Sequence, residues 1–179
     1  MEPPVDTLRH VGPPGQAQAG TAPNDEELPY VPIRPSSSAE RGADYRDANL
    51  SQRDLGGMNF GRAIFAGANL SGAILSRANM AGAILVDANL RDAQLVRVNA
   101  MSALFIRADL RDADLSWANL SGADLSEALL MDAVLVGVTW STQTVWPGEV
   151  RGNVERISRR IGPETWIILP MEADDRVSV

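Results

Sequence analysis

The sequence predicts an all-β solenoid over residues 43–142, and a strict five-residue repeat carries this prediction. Twenty units follow one another without an insertion, and nineteen of them have a large apolar or aromatic residue at the centre. A period of five fits neither the 3.6-residue turn of an α-helix nor the two-residue alternation of a long strand. The chain must therefore turn a corner in every unit, and the repeated corners predict a coiled, polygonal fold.

The composition of each unit predicts a narrow apolar interior. Centres fall on every fifth residue from Tyr45 to Trp140, and thirteen of the twenty are leucine. The position two residues before the centre, called the small position below, is alanine in sixteen units. Strand geometry points both inward, and the outward position between them faces solvent. Arg53 and Met58 at small positions predict an irregular first coil, and Ala100 at a centre predicts a local void or its filling by a neighbour.

Units such as Ala48-Asn49-Leu50 and Ala108-Asp109-Leu110 match the motif A(D/N)LXX. In this respect the sequence resembles the pentapeptide-repeat family over residues 43–142. The resemblance implies a right-handed quadrilateral β-helix with four units per coil. Twenty units would then give about five coils, or a solenoid of about 24 Å at the usual strand spacing.

Residues 1–42 predict an extended or disordered arm, because they contain eight prolines and few large apolar side chains. The one apolar segment in this arm is LPYVPI, from Leu28 to Ile33. Two interpretations of this segment stay open. It docks on the solenoid or on a partner, or it is an incidental apolar cluster in a disordered tail.

Residues 143–179 predict a C-terminal cap that covers the open end of the solenoid. An amphipathic helix is expected at about 148–161, followed by a short apolar strand at 165–170 and an acidic tail. The resemblance also implies an alternative role for this helix as a homodimer contact. The residues expected on its apolar face are Val150, Val154, Ile157 and Ile161.

Composition argues against catalysis and against direct binding of nucleic acid. The chain has no cysteine and a single histidine, His10, in the predicted arm, and it contains no phosphate-binding or nucleophile motif. We therefore expect no catalytic, cofactor or metal site. A net charge of −7 disfavours contact with phosphates. No signal peptide or long apolar segment is present, so we expect a cytoplasmic protein without membrane contact.

With four units per coil, residues twenty apart stack in columns on the outer surface. Two columns rich in asparagine predict side-chain ladders between coils. A third column carries aliphatic residues and predicts a protein-binding face, unless the arm or a second protomer covers it. A fourth column, Arg77, Arg97 and Trp117, predicts a guanidinium stacked on the indole, with Trp117 as a candidate binding hot spot. The residues of the third column, named the apolar column, are Ile64, Ile84 and Leu104 with Ala66, Val86 and Ile106.

Two functional hypotheses follow. The first is a protein-binding scaffold. The second comes from the resemblance, because characterised family members act as DNA mimics that bind DNA gyrase and related topoisomerases and protect them from quinolones. A 24 Å mimic would carry about 14 negative charges, whereas residues 43–142 hold eleven acidic residues against eight arginines. The C-terminal coils could still present an acidic stripe of Asp109, Asp112, Asp114, Asp124, Glu127 and Asp132.

Overall fold

The repeats form a β-helix whose coils stack in parallel. A computed structural model describes residues 42–170. Each outward residue forms a parallel bridge with the residue twenty positions later, as in the series from Asp44 through Ile64 and Ile84 to Leu104. This register gives four units to each coil. We number the faces in chain order, so that the first to fourth faces begin with the units of Tyr45, Leu50, Leu55 and Phe60.

The sides of each coil are shorter than ordinary strands. Within the repeats the bridges are isolated, one to each side, because a corner in every unit leaves no room for a longer ladder. Every fifth residue from Gly42 to Gly137 has a positive φ. Many of these corner residues are not glycine, and the left-handed conformation costs such residues about 1–2 kcal/mol. Hydrogen bonds to the next coil offset that cost, as when the Asp112 N–H donates to the Met131 carbonyl at 3.0 Å.

The centres and the small positions form one continuous core. Leu70, Ala68, Leu90 and Ala88 are all at most 1% exposed, as the inward positions of the repeat predict. Ala100 is also fully buried.

The first coil departs from the regular pattern at both positions that the sequence singled out. Met58 is buried at its small position, whereas Arg53 is half-buried at the preceding one. Large aromatic residues fill the interior here. The Tyr45 and Phe65 rings stack at 4.9 Å, and the Phe60 ring meets the Phe65 ring edge-on at 5.2 Å.

After the repeats the chain folds back on the end of the solenoid. The elements are β1 (Thr139–Ser141), α1 (Gly148–Ile157), β2 (Ser158–Arg160) and β3 (Thr165–Ile168). The three strands form an antiparallel sheet in the order β1-β3-β2. Val150, Val154 and Ile168 belong to the same buried cluster as the coil residues. The helix and the third strand thus extend the solenoid core.

The predicted helix is wrong beyond Ile157. Ser158 has extended backbone angles and begins β2. Its hydroxyl donates to the Val154 carbonyl and accepts a hydrogen bond from the Trp140 indole at 2.9 Å, and pairing with β3 continues the chain as a strand. Ile161 therefore leaves the apolar face of the helix and is 52% exposed.

The predicted strand at 165–170 has its last paired residue at Ile168, two positions earlier than expected. Three predictions lie outside the described residues. These are the docking of the Leu28–Ile33 segment, the remainder of the arm including His10, and the acidic tail after Pro170.

Candidate functional site

The structure brings the six residues of the apolar column together. Ile64, Ile84 and Leu104 are bridged in series on the first face. Ala66, Val86 and Ile106 follow them at the neighbouring corner, and all six are half-buried. The result is an aliphatic surface that spans three coils.

The apolar column lacks a hydrogen bond that the outward position usually makes. Where this position is Asn or Asp, its side-chain oxygen accepts the N–H two residues later, as Asn69 does from Ser71 at 3.1 Å and Asp124 from Ser126 at 2.9 Å. Isoleucine and leucine have no such acceptor. Within residues 42–170, the N–H groups of Ala66, Val86 and Ile106 donate no hydrogen bond. Three successive coils thus each forgo an interaction of about 1 kcal/mol.

Only one of the two predicted asparagine ladders forms. The Asn79 amide donates to the Asn59 carbonyl oxygen at 2.9 Å, and the Asn99 amide donates to Asn79 at 3.1 Å. In the column of Asn49, Asn69, Asn89 and Asp109 the described residues form no such side-chain ladder. There each side-chain oxygen accepts the backbone N–H two residues later, at the corner of its own unit.

Trp117 does not join the apolar column. It lies at the corner between the third and fourth faces, and its side chain is 52% exposed. The predicted stack with Arg97 is absent from the described residues. Its ring instead packs on Gly137, where an added Cβ would come within 2.5 Å of the ring. Glycine at this point of the next coil has no side chain, so the Trp117 ring can pack directly on the backbone.

The six acidic residues do not form one stripe. Asp124 lies on the first face, and Glu127 lies at the corner after it. Asp109 lies on the second face, and Asp114 lies on the third. Asp112 and Asp132 share the corner between the second and third faces.

Arginines neutralise two of these acids. Arg111 donates to both carboxylate oxygens of Asp109, at 2.8 and 2.6 Å. Arg91 donates to Asp112 at 3.0 Å. The surface of the C-terminal coils is therefore less negative than the number of carboxylates suggests.

The ion pairs predict a pH dependence of stability. The hydrogen bond from Arg111 lowers the pKa of Asp109, and that from Arg107 lowers the pKa of Asp87. We expect Asp109→Asn to lower the free energy of unfolding by about 1–2 kcal/mol at pH 7. A group with a depressed folded pKa contributes fully above its unfolded pKa of about 3.9. The deficit should therefore vanish as the pH falls through the folded pKa.

Urea denaturation between pH 2 and pH 7 measures this effect. Asp87→Asn is the matched control, because Arg107 also binds Asp87 through two hydrogen bonds. That pair is more exposed than Asp109–Arg111 and solvent screens it more strongly. If Asp87→Asn lowers the free energy of unfolding as much as Asp109→Asn or more, the Asp109–Arg111 pair is not the more stabilising of the two.

The last coil carries a second group of apolar residues that was not predicted from the sequence. Leu129, Met131 and Val134 are 46%, 55% and 43% exposed, more than the half-buried apolar column. A signal was present, because Leu129 and Val134 stand at outward positions that usually hold Asn or Asp. Their position at the end of the solenoid was not apparent from the repeat alone.

Residues 42–170 contain no cluster of three or more His, Cys, Asp or Glu residues that could hold a metal ion. No helix in the same range has the length and apolar character needed to cross a membrane.

A four-sided coil with an alanine-and-leucine interior defines this chain as a solenoid protein built from five-residue units. The family model for pentapeptide repeats matches eight copies, over residues 43–82, 63–100, 73–112 and 108–139. The chain belongs to the pentapeptide-repeat family, which confirms the resemblance seen in the motif.

Several solved structures resemble the chain, whereas no curated protein sequence matches significantly. The pentapeptide repeat protein Rfr23 from the cyanobacterium Cyanothece 51142 is 26% identical, over 59% of this chain and 88% of its own, with a TM-score of 0.42. A pentapeptide repeat protein of the Arabidopsis thaliana thylakoid lumen is 24% identical, over 69% and 82%, with a TM-score of 0.42. QnrB1, a plasmid-mediated fluoroquinolone resistance protein, is 22% identical, over 59% and 56%, with a TM-score of 0.49.

Proposed function

We propose that this protein is a non-enzymatic scaffold that binds a protein partner through the apolar column. One observation carries the proposal. Three successive coils place Ile64, Ile84 and Leu104 at outward positions of the same column, although Asn or Asp there would add a corner hydrogen bond. A contiguous apolar surface retained at that cost is typical of a binding face.

The surroundings of the apolar column favour an apolar partner surface. At the corner that follows it, the Arg107 guanidinium donates to the Asp87 carboxylate at 2.7 and 2.8 Å, so the two charges neutralise each other. At the preceding corner, Gly82 and Ser102 carry no charge, and Arg62 is the one charged residue of the three. Shape and apolar contact would therefore determine affinity, with salt having a small effect.

We propose in addition that α1 and β3 cap the right-handed solenoid. Val150, Val154 and Ile168 cover apolar cross-section that would otherwise meet water. A homodimer through this end remains a prediction, and Ile157 is a half-buried residue that it would use. Sedimentation velocity of the full chain measures this state directly.

The double variant Ile64→Asp, Ile84→Asp tests the apolar column. We expect loss of partner capture without loss of fold, because both side chains point away from the core. The control is Asn69→Asp, Asn89→Asp, which places the same two charges at outward positions of the same coils on the next face. Affinity capture with quantitative mass spectrometry compares the two variants, and circular dichroism checks the fold. A partner set that is identical in the two variants would rule out the apolar column.

A DNA-mimic function is the second candidate. Its structural basis is the corner column of Asp92, Asp112 and Asp132, although Arg91 lies 3.0 Å from Asp112 and 3.8 Å from Asp92. A DNA gyrase supercoiling assay with and without a quinolone tests it. Inhibition or drug protection that weakens in Asp112→Asn, Asp132→Asn would support the mimic, and an inactive wild-type protein would exclude it.

A further inference from the structure

Among the described residues, part of the backbone of the last coil has no hydrogen-bond partner on the second face. In the preceding coil, the N–H groups of Leu110 and Asp112 donate to the carbonyls of Leu129 and Met131 at 2.9 and 3.0 Å. Within residues 42–170, the equivalent N–H groups of Leu130 and Asp132 donate no hydrogen bond.

The matching acceptor also lacks a donor within residues 42–170. The Ala108 carbonyl accepts the Leu129 N–H at 3.0 Å, whereas the equivalent Ala128 carbonyl, one coil later, accepts no hydrogen bond from any described residue. The segment 128–132, named the open edge, therefore offers two donors and one acceptor at the spacing of a parallel strand. Unpaired edges of this kind are templates for another extended chain.

A groove separates the open edge from the helix that follows. A cavity of about 450 Å³ lies between them, lined by Leu129, Leu130 and Met131 on one side and by Glu149, Val150 and Asn153 of α1 on the other. Leu129 and Met131 are about half exposed at its rim. A docked strand would thus meet backbone partners and apolar side chains together.

The charges around the groove are negative. Glu127 and Asp132 stand at the two ends of the open edge, and Glu149 lines the groove. All three are exposed, and within residues 42–170 none of them forms a salt bridge. Arg111, the basic residue in the lining, is bound to Asp109. The groove therefore complements a basic segment.

We propose that the open edge binds an extended peptide segment of a partner protein, with apolar side chains alternating with basic ones. Two carbonyls of the segment accept the Leu130 and Asp132 N–H groups, and one of its amides donates to the Ala128 carbonyl. Its apolar side chains cover Leu129 and Met131, and its basic side chains face Glu127, Asp132 and Glu149. This site is separate from the apolar column and does not depend on it.

The test uses the full chain and a panel of capped heptapeptides in which Val, Ile or Leu alternates with Lys. Hydrogen exchange measured by NMR reports the amides of Leu130 and Asp132, with the bonded Leu110 amide as an internal reference. Each peptide is compared with an analogue that is N-methylated at alternate backbone positions. Met131→Arg is the site variant. Met101→Arg is its matched control, because Met101 holds the same unit position on the fourth face and is 44% exposed.

We expect the peptides to slow exchange at Leu130 and Asp132. Binding should weaken at least tenfold in Met131→Arg and with the N-methylated analogues, and should be unchanged in Met101→Arg. Equal binding by the two arginine variants, or no protection by any peptide, would overturn the proposal. Protection that appears without peptide and grows with protein concentration would also overturn it, because a second copy would then occupy the edge.

Discussion

Replacing Phe65 with alanine is expected to lower the free energy of unfolding by about 3–5 kcal/mol. The Phe65 side chain is fully buried, and its ring stacks on Tyr45 at 4.9 Å and meets Phe60 at 5.2 Å. Truncation would leave a cavity between the first and second coils. The narrow interior offers little relaxation, because each coil is tied to the next by backbone hydrogen bonds on every side.

The neighbouring residue supplies the control. Ile64 belongs to the same unit and points outward, so Ile64→Ala should cost about 1 kcal/mol or less. Urea denaturation followed by circular dichroism measures both variants. Similar losses at the two positions would contradict the inward placement of Phe65, and with it the register of the second coil on the first.

Two deletions of different length are expected to have opposite effects on partner binding. Removing residues 83–102 deletes one full turn, so Leu104 then stacks directly on Ile64 and the apolar column stays continuous. Removing residues 83–87 deletes one unit and rotates every later column by one face, which places Asn89 over Ile64. Both variants keep the five-residue repeat, and we expect both to fold because solenoid coils interact chiefly with their neighbours.

Partner affinity separates the two deletions. The twenty-residue deletion should retain binding within about tenfold, whereas the five-residue deletion should lose it. The partner recovered by affinity capture, titrated against each purified variant, provides the measurement. Retained binding after the five-residue deletion would show that an aligned apolar column is unnecessary. The partner would then bind a surface that the deletion leaves intact, such as the open edge.

The sequence predicted burial best at repeat positions that always have the same environment. Leucine at the centres and alanine at the small positions predict burial, and residues such as Leu90 and Ala88 are buried accordingly. The apolar column was also predictable once four units were assigned to a coil, because Ile64, Ile84 and Leu104 are spaced by twenty residues. The helix end was not, since Ser158 leaves the helix through contacts with Trp140 and β3 that sequence periodicity does not contain.

The contacts of side chains on the outer surface were harder to predict from the sequence. The acidic residues near the C-terminus are close in sequence, yet successive corners distribute them over three faces. Trp117 was expected to contact Arg97 but packs on Gly137 in the following coil. The faces of the acidic residues follow from the four-unit register, whereas the contact of Trp117 depends on the direction in which its side chain leaves the coil, which the order of residues does not specify.

The repeat and the inward residues follow from the sequence alone, because a five-residue period with a small and a large apolar residue has few ways to bury both, and the repeated motif also indicates the family. How the last coil is covered depends on tertiary contacts. β3 pairs with β1 and α1 packs on the core, and within residues 42–170 the N–H groups of Leu130 and Asp132 are left without hydrogen-bond acceptors. That outcome depends on how a ten-residue helix crosses a four-sided coil, a long-range fit between segments that local patterns do not encode.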